Sequence, residues 1–571
     1  MTFKEYCLFL EKLESISSRL EITSLLSVLL GELNNEEVST GVYFSLGILG
    51  PVYDKREFNM AIKMVIRAIA VATDLEITTV ESEFKKNGDV GETALALLKE
   101  REAKKTLIEV WTSLLDVANL EGAGSQEKKV GGLASLLKEV SAIEAKYLTR
   151  MVVGKLRLGF SEKTIFDALS RIENGDKSLR KELDRIYQLY PDTGEITRVF
   201  KIGGLTALKK MSVRVGVPIV SALCQRLNTY DEIVKNMGEV AIEPKYDGTR
   251  VQIHYKRNDN KVLIKSFTRN LEESSNMFPE LRSMGDFVKS EEVILDCEAV
   301  GYDKKTGRIL NFQETITRKR KHGVEEAAIS VPLRFFCFDI LFCDGVSLLS
   351  KPYYERRKIL NNQVVKNETL VVDESVRTSS SVELQEIHAR YLKQGYEGAV
   401  MKKWDGQYLP GRQGWNWVKI KEVEGSSGKL VDTFDLAVLG YYFGKGKRSA
   451  FGIGAFLVGT RKDDSWVSLA KIGTGLTDEE FVGLRRKLDE FKVQAAPENV
   501  FVEESLVPDV WVSPGVVVEI AADEVTRSPS HTAGVALRFP RLVRFRDDKG
   551  ISEVTTLVEV MRIASLSGNM L

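Results

Sequence analysis

The chain has 571 residues, of which 43% are hydrophobic and 28% charged, and its 81 Lys and Arg balance 81 Asp and Glu. That length is too great for one core and suits about three or four domains of an ordinary soluble globular protein. Zero net charge excludes attraction of a polyanion by the total, so a nucleic-acid partner would need locally clustered cations. The five cysteines are scattered without a C-x-x-C pair, and the four histidines show no metal-ligand spacing. Free thiols in a reducing compartment are therefore expected, and a zinc site is not. With no signal peptide and no apolar run long enough for a bilayer, an intracellular, cytoplasmic protein without a membrane partner is expected.

Phe3, Tyr6, Leu10 and Leu13 recur at helical spacing, and Ser17-Ser18-Arg19 reads as a break with a cap for the next helix. Amphipathic stretches follow at 57–72, 94–118 and 133–148, with almost no β-branched alternation, so residues 1–220 are expected to form a helical domain. Its most informative segment is YLTRMVVGKLRLGFSEKTIFDAL at 147–169. A helix runs into Gly154-Lys155-Leu156-Arg157-Leu158-Gly159, and Ser161 can cap the next one, with Thr164 following. Glycines beside cations let backbone N–H groups and charges approach a phosphate. Lys201-Ile202-Gly203-Gly204, followed by Lys209 and Lys210, is a second such element. On the residues alone, a glycine-punctuated turn with solvated charges explains both equally well.

A proline-containing stretch at 215–220 reads as a boundary, after which short strands mix with helices. EPKYDGTR at 243–250 is flanked by alternating Val240 and Ile242 before it and Val251, Ile253 and Tyr255 after it. Two such runs around Asp-Gly predict a hairpin, with Lys245 at the mouth of a sheet and Arg250 opening the second strand. Farther on, Asp296 and Glu298 share one face of a strand, opposite Val293, Leu295 and Cys297. RFFCFDILFCDG at 334–345 reads as an aromatic buried strand. EGAVMKK at 397–403 precedes GRQGWNWVKIK at 411–421, which puts Lys419 and Lys421 on one strand face.

The pattern K-x-D-G-x-R at 245–250 resembles the nucleophile motif of the covalent nucleotidyltransferases: ATP-dependent DNA ligases, RNA ligases and mRNA capping enzymes. Five further segments in matching order fit the DNA ligases of archaeal and eukaryotic replicative type best. The resemblance implies a multidomain α+β chain. An N-terminal all-α DNA-binding domain (1–220) would precede a central α+β nucleotidyltransferase, or adenylation, domain (221–424) and a C-terminal OB-fold β-barrel (425–571). The segment around 154–159 looks like the signature of the helical domain that grips the minor groove at a nick. Lys245 would be the catalytic nucleophile, with ATP and Mg²⁺ as cofactors. Glu243, Arg250, Arg269, Glu298 and Phe338 would contact the nucleotide, Phe338 by stacking on adenine. Lys419 and Lys421 match the pair that neutralises the α-phosphate, and Glu298 and Glu397 match the metal-binding carboxylates. Arg269 falls on the strand after the hairpin, although extra residues around 256–259 shift its spacing. The family's arginine upstream of Lys419 corresponds to Arg412, followed here by Gln413 and one position out of register.

Past a Gly- and Ser-rich connector at 424–428, strands are expected at 434–439, 453–458, 466–472 and 516–520 around one helix at 478–491, a pattern that suits an OB-fold. The loop at 442–448 mixes aromatics, glycines and cations that suit a DNA backbone, as would a plain exposed hairpin. ALRFPRLVRFRDDK at 536–549 carries Arg538, Arg541, Arg544, Arg546 and Lys549, whose mutual repulsion calls for an anionic counter-charge, polyphosphate or DNA. The segment resembles the family motif that touches the β- and γ-phosphates, and it would have to swing towards Lys245 for activation.

The chemistry sets a demand on Lys245. A lysine of pKa about 10.4 is neutral only on the order of a tenth of a per cent of the time near pH 7.5, a deficit of about 4 kcal/mol. Neighbouring cations, a bound metal and desolvation must lower that pKa, and Arg250, Arg269, Lys419 and Lys421 are the candidate cations. The implied activity is sealing of nicked double-stranded DNA by a monomer, through lysyl-AMP and adenylated DNA, in replication, repair and recombination. A sliding clamp stays open as a partner, because Lys104-Lys105-Thr106-Leu107 matches the clamp peptide of related enzymes poorly. The helical domain argues against a capping guanylyltransferase or an RNA ligase, and the missing four-cysteine site argues against an NAD-dependent ligase. A silent repair scaffold would take no covalent label from ATP.

Overall fold

The computed structural model describes every residue except 55, 103, 228, 259–260, 311–314, 316–317, 319–323, 422–432, 445–447, 449–450, 523 and 567–571. The connector expected at 424–428, part of the 256–259 insertion and the middle of the 442–448 loop therefore lie outside the described residues. The chain divides into two compact units, Met1–Lys421 and Glu422–Leu571.

Up to Leu208 the regular elements of the larger unit are helices. Phe3–Ser15 turns Phe3, Tyr6, Leu10 and Leu13 inward, and Ser18 caps Arg19–Glu32. The stretch predicted over 94–118 is two helices, Val90–Leu97 and Leu107–Ala118, because Thr106 and Glu109 form a capping box that starts the second. The stretch over 133–148 breaks likewise at Ser141, whose backbone N–H donates to Glu144 at 2.7 Å ahead of Ala142–Val152. That last helix is buried along its whole length. Its cations are tolerated inside because Arg150 pairs with Glu14, Asp89 and Glu92 at 2.8–3.0 Å, and Lys146 pairs with Glu14 and Glu92 at 3.1 and 2.9 Å. Gly91 is what lets the Val90–Leu97 helix come this near, since a Cβ there would lie 2.6 Å from Arg150 Nε and 2.8 Å from the Lys146 carbonyl oxygen.

Two sheets follow. A five-stranded sheet runs β1 (Gln225–Arg226), β11 (Trp417–Lys421), β10 (Gly398–Lys403), β2 (Val240–Lys245), β9 (Val376–Thr378). The other runs β4 (Lys261–Thr268), β3 (Thr249–Asn258), β5 (Glu292–Gly301), β6 (Leu333–Cys343), β7 (Val346–Ser347), with β8 (Leu370–Val372) beside β6. The hairpin predicted around Lys245 does not form. β2 pairs with β10 and β9, β3 pairs with β4 and β5, and residues 246–248 cross from one sheet to the other. Gly248 makes the crossing possible: a Cβ on it would stand 2.5 Å from the Ala299 carbonyl oxygen and 3.1 Å from Glu298 Cγ.

Alternation gives each sheet one apolar face. Val240, Ile242, Ala399, Met401, Val418 and Ile420 pack with Ile233 and Met237 of the Tyr230–Met237 helix and with Leu384 and Ile387 of Ser381–Lys393. Val251, Ile253, Tyr255, Val293, Leu295, Cys297, Phe335 and Cys337 form the core beneath the second sheet. The opposite faces carry the charged residues. Gln252 and His254, on the polar face of β3, hold the 213–220 segment: Ile219 N–H donates to Gln252 Oε1 at 2.8 Å and Gly216 N–H to His254 Nδ1 at 3.1 Å.

The second unit is strand-rich. Phe434–Tyr442, Ala455–Lys462 and Ser465–Ile472 form an antiparallel meander with register shifts at Val438/Gly440 and Val458/Gly459, which bend the sheet over its core. Val517–Ala521 adds to its edge, and Asp478–Asp489 packs Phe481, Leu484 and Leu488 onto it. Arg541–Phe545 and the last helix, Leu557–Leu566, lay outside the predicted elements. No described helix is long and apolar enough to cross a membrane, and all five cysteines are free.

Candidate active site

Register assembles the site. Across the five-stranded sheet, Lys245 on β2 lies level with Gly398 on β10 and Lys421 on β11, and Glu243 lies level with Val400 and Lys419. Residues level with one another share a face, so Glu243, Lys245, Lys419 and Lys421 all belong to the polar one. At about 4.8 Å per strand, the Lys245 and Lys421 backbones stand roughly 10 Å apart. The Lys421 side chain itself lies outside the described residues. The glycine between them, Gly398, has φ 148°, in the region that favours glycine.

Lys245 Nζ is in direct contact with Glu397 Oε2, the pair being about one-fifth exposed, and the Glu397 N–H donates to the Lys245 carbonyl at 3.0 Å. From the second sheet, Glu298 faces this pair. Burial pushes its carboxyl up to about 7, opposed by Lys245 and Arg250 and reinforced by Asp296 and Glu397. Arg250 stands opposite Glu298 in the β3–β5 ladder but binds Asp296 in a two-pronged pair at 2.9 and 2.6 Å, and its third nitrogen donates to the Ala222 carbonyl at 2.6 Å. This resolves the two carboxylates on one strand face: the buried Asp296 takes the guanidinium and Glu298 is left for the site. Arg250 also lies 5.3 Å from the Phe338 ring centre, so it supports that ring as well as adding positive charge.

Glu243 is 2% exposed and ion-paired with Lys402 at 2.7 Å. Tyr353, on the Tyr353–Gln363 helix, donates to its other oxygen. Burial, then Glu243, raises the neighbouring Asp373 to about 8 against the pull of Arg357 and Lys402. Tyr353, Arg357 and Asp373 were missed from sequence, and Lys402 was read only as part of EGAVMKK, without a role, although it shares strand parity with Gly398 and Val400.

Arg269 is exposed in the turn just past β4 rather than on the strand, because β4 ends at Thr268. Arg412 is exposed in the turn before β11, while Gln413 is the residue held, donating to Gln188 Oε1 at 2.9 Å and the Pro410 carbonyl at 2.8 Å. Arg538 and Arg541 lie in the second unit, at the end of Val535–Arg538 and the start of Arg541–Phe545. Their run does not need an outside polyanion throughout: Arg544 pairs with Glu519 at 2.6 Å, Arg546 with Asp435 and Asp548 at 2.9 and 2.8 Å, and Lys549 with Asp435 at 2.7 Å. In the helical region, Lys201 likewise donates to the Leu30 and Gly31 carbonyls, both at 2.8 Å, closing a helix end instead of facing a phosphate.

Among the described residues no cluster of three or more His, Cys, Asp or Glu could hold a metal by itself. Glu298 and Glu397, both close enough to Lys245 to feel its charge or touch it, are an oxygen-only pair. Such a pair fits Mg²⁺, which keeps several waters and takes the rest of its oxygens from phosphates.

Family models match three parts of the chain: "DNA ligase N terminus" over residues 2–170, "ATP dependent DNA ligase domain" over 221–421 and "ATP dependent DNA ligase C terminal region" over 449–549. A probable DNA ligase of Dictyoglomus turgidum is 41% identical, over 99% of this chain and 97% of that protein. A DNA ligase of Saccharolobus solfataricus is 35% identical, over 99% and 97%. The solved structure Pmar-Lig_PreS3 shares the fold with a TM-score of 0.52 at 17% identity, covering 95% of this chain and 99% of that one.

Proposed function

The chain belongs to the ATP-dependent DNA ligase family of enzymes, and from that premise we propose that it seals 5′-phosphate/3′-hydroxyl nicks in duplex DNA through an adenylate carried on Lys245. The observation that carries the reading is the ladder that sets Lys245, Lys419 and Lys421 on one sheet face, with Glu397 in contact with the first of them and Glu298 near enough to feel its charge.

Lys245 attacks the α-phosphorus of ATP; the N–P bond forms, the bond to pyrophosphate breaks and pyrophosphate leaves. The ammonium must first lose its proton to water, and Glu397, in contact with Nζ, orients the amine. Lys419 and Lys421 neutralise the α-phosphate and Phe338 stacks on the base. The 5′-phosphate of the nick then displaces Lys245 from AMP, and the 3′-hydroxyl displaces AMP from the DNA. Each step depends on positioning and charge neutralisation. Glu298 and Glu397 would hold Mg²⁺, which when bound shields the triphosphate and stabilises the departing pyrophosphate.

Residues 1–220 would grip the duplex, 221–424 carry adenylation and 425–571 form the OB-fold. Arg538 and Arg541 are assigned to the β- and γ-phosphates on the family motif alone, as Arg269 and Arg412 are to the nucleotide or DNA. Replication, repair and recombination are the settings this activity serves.

The test is the intact mass after incubation with ATP and Mg²⁺, with and without nicked duplex. The wild type should gain one AMP and lose it to the nick, and Lys245→Ala should gain none. A wild type that stays unlabelled would sink the reading in favour of a silent nick-binding scaffold.

A further inference from the structure

Lys402, on β10, is 1% exposed and takes no part in the steps above. A buried ammonium is costly unless it is paired and hydrogen-bonded. Here Nζ lies 2.7 Å from Glu243 Oε2, donates to the Phe338 carbonyl oxygen at 2.5 Å, and stands over the rings of Trp417, Phe338 and Tyr353 at 4.6, 4.7 and 5.0 Å. Glu243 belongs to β2 of one sheet and Phe338 to β6 of the other. One side chain thus joins the two sheets at two residues assigned to the nucleotide.

The partners of Glu243 fix its chemistry. Lys402 occupies Oε2, Tyr353 donates to Oε1, and Arg357, itself paired with Asp373, stands 3.8 Å from Oε1. A carboxylate surrounded by donors remains an acceptor, and each oxygen has more than one lone pair. Such a group complements an exocyclic amine and opposes a carbonyl oxygen. Adenine presents an amine at the position where guanine presents a carbonyl.

We propose that Lys402 is a positioning residue for nucleotide specificity. It holds Glu243 as an acceptor at a set distance from the Phe338 ring, so that an adenine nucleotide is admitted and a guanine nucleotide is refused. The inference rests on the adenylating reading above. With Lys402 removed, Glu243 Oε2 loses its donor and its fixed place relative to the Phe338 ring, so the carboxylate discriminates less sharply between an amine and a carbonyl on the base.

The experiment compares full-length wild type, Lys402→Met and Tyr353→Phe. It measures covalent nucleotide uptake from ATP and from GTP with Mg²⁺, and, separately, sealing of pre-adenylated nicked DNA, which bypasses nucleotide selection. Lys402→Met should lower the ATP-over-GTP preference by about tenfold to a hundredfold, the effect of one hydrogen bond to a charged group. KM for ATP should rise while sealing of pre-adenylated DNA stays within about twofold, a split that general loss of structure would not give. An unchanged preference with normal sealing overturns the inference. If Lys402→Met also loses sealing, Tyr353→Phe decides. It removes one donor to the same carboxylate and should lower the preference by about threefold to tenfold, and an unchanged preference there overturns the inference as well. Absence of any adduct in the wild type is a different result, and it removes the adenylating reading itself.

Discussion

Two glycine-containing turns of the larger unit carry cations, and they use the same residue types in opposite ways. At 245–248 the cation is confined: Lys245 touches Glu397 across the sheet face, and Gly248 is present because the chain passes so close to β5. At 154–159 the cations are displayed. Leu156 and Leu158 are buried, so alternation turns Lys155 and Arg157 outward. Gly154 and Gly159 have φ of 66° and 74°, and a Cβ on either would meet nothing within 4 Å. The first glycine answers a lack of space and the second pair a backbone angle. A charge confined in this way is sensitive to small displacements, whereas a displayed charge is sensitive to salt.

Gly248→Val should break the confined turn hardest. Its Cβ would meet a backbone oxygen at 2.5 Å, so the crossing must shift and carry Lys245 with it. A displacement of about 1 Å can cost about a hundredfold in rate. Uptake of AMP should slow at least that much, read by single-turnover labelling, while sealing of pre-adenylated DNA falls far less. Equal losses in both assays would mean that the turn serves the fold and not the nucleophile.

The displayed turn depends instead on a buried ionic group. Arg150 joins Glu14, Asp89 and Glu92, and Asp89 also pairs with Arg157 at 3.1 Å. Arg150→Met should leave these carboxylates short of their main cation and destabilise the helical region by about 3–5 kcal/mol. Urea denaturation followed by helical circular dichroism measures this, and a loss under about 1 kcal/mol would show the network to be dispensable.

Between the two regions, His254 holds the 213–220 segment. Burial, then Lys265, lowers its ring from 6.5 to about 3. A base whose folded pKa is depressed contributes stability that is complete above about pH 6.5 and is lost as pH falls towards 3. The slope is up to about 1.4 kcal/mol per pH unit. Thermal melts between about pH 4 and 7 should show the wild type losing stability faster on acidification than His254→Gln. Parallel profiles would remove this ring from the acid response.

Much of this was legible from the sequence because it is periodic. Strand parity put Lys419 beside Lys421 and separated Asp296 and Glu298 from Val293, Leu295 and Cys297, and the Ser161 capping pattern starts Glu162–Asn174. What parity cannot give is pairing. The Asp-Gly turn looked like a hairpin because both flanking strands alternate, and only the partners of β2 and β3 reveal that they belong to different sheets. Ion pairing was hidden in the same way. Asp435 and Glu519 lie far from the 536–549 cations in sequence, so a segment that reads as short of counter-charge is in part already neutralised.

The finest test of the comparison lies within the displayed turn itself. Lys155 and Arg157 both face outward, but Arg157 Nε is 3.1 Å from Asp89 and part of its charge is already answered. A cation that contacts a phosphate of duplex DNA releases about 0.9 of a counterion, so its loss lowers the salt slope of binding by about 1. Lys155→Ala should weaken binding to a nicked duplex several-fold near 0.1 M salt and take nearly that whole unit from the slope, with no change in AMP uptake. Arg157→Ala should take less from the slope, because removing it leaves Asp89 with Arg150 and returns one carboxylate oxygen to water. Fluorescence anisotropy over a salt series separates the two. If the arginine variant shows the larger slope change, Asp89 does not neutralise it in the complex, and the loop offers both charges to the DNA equally.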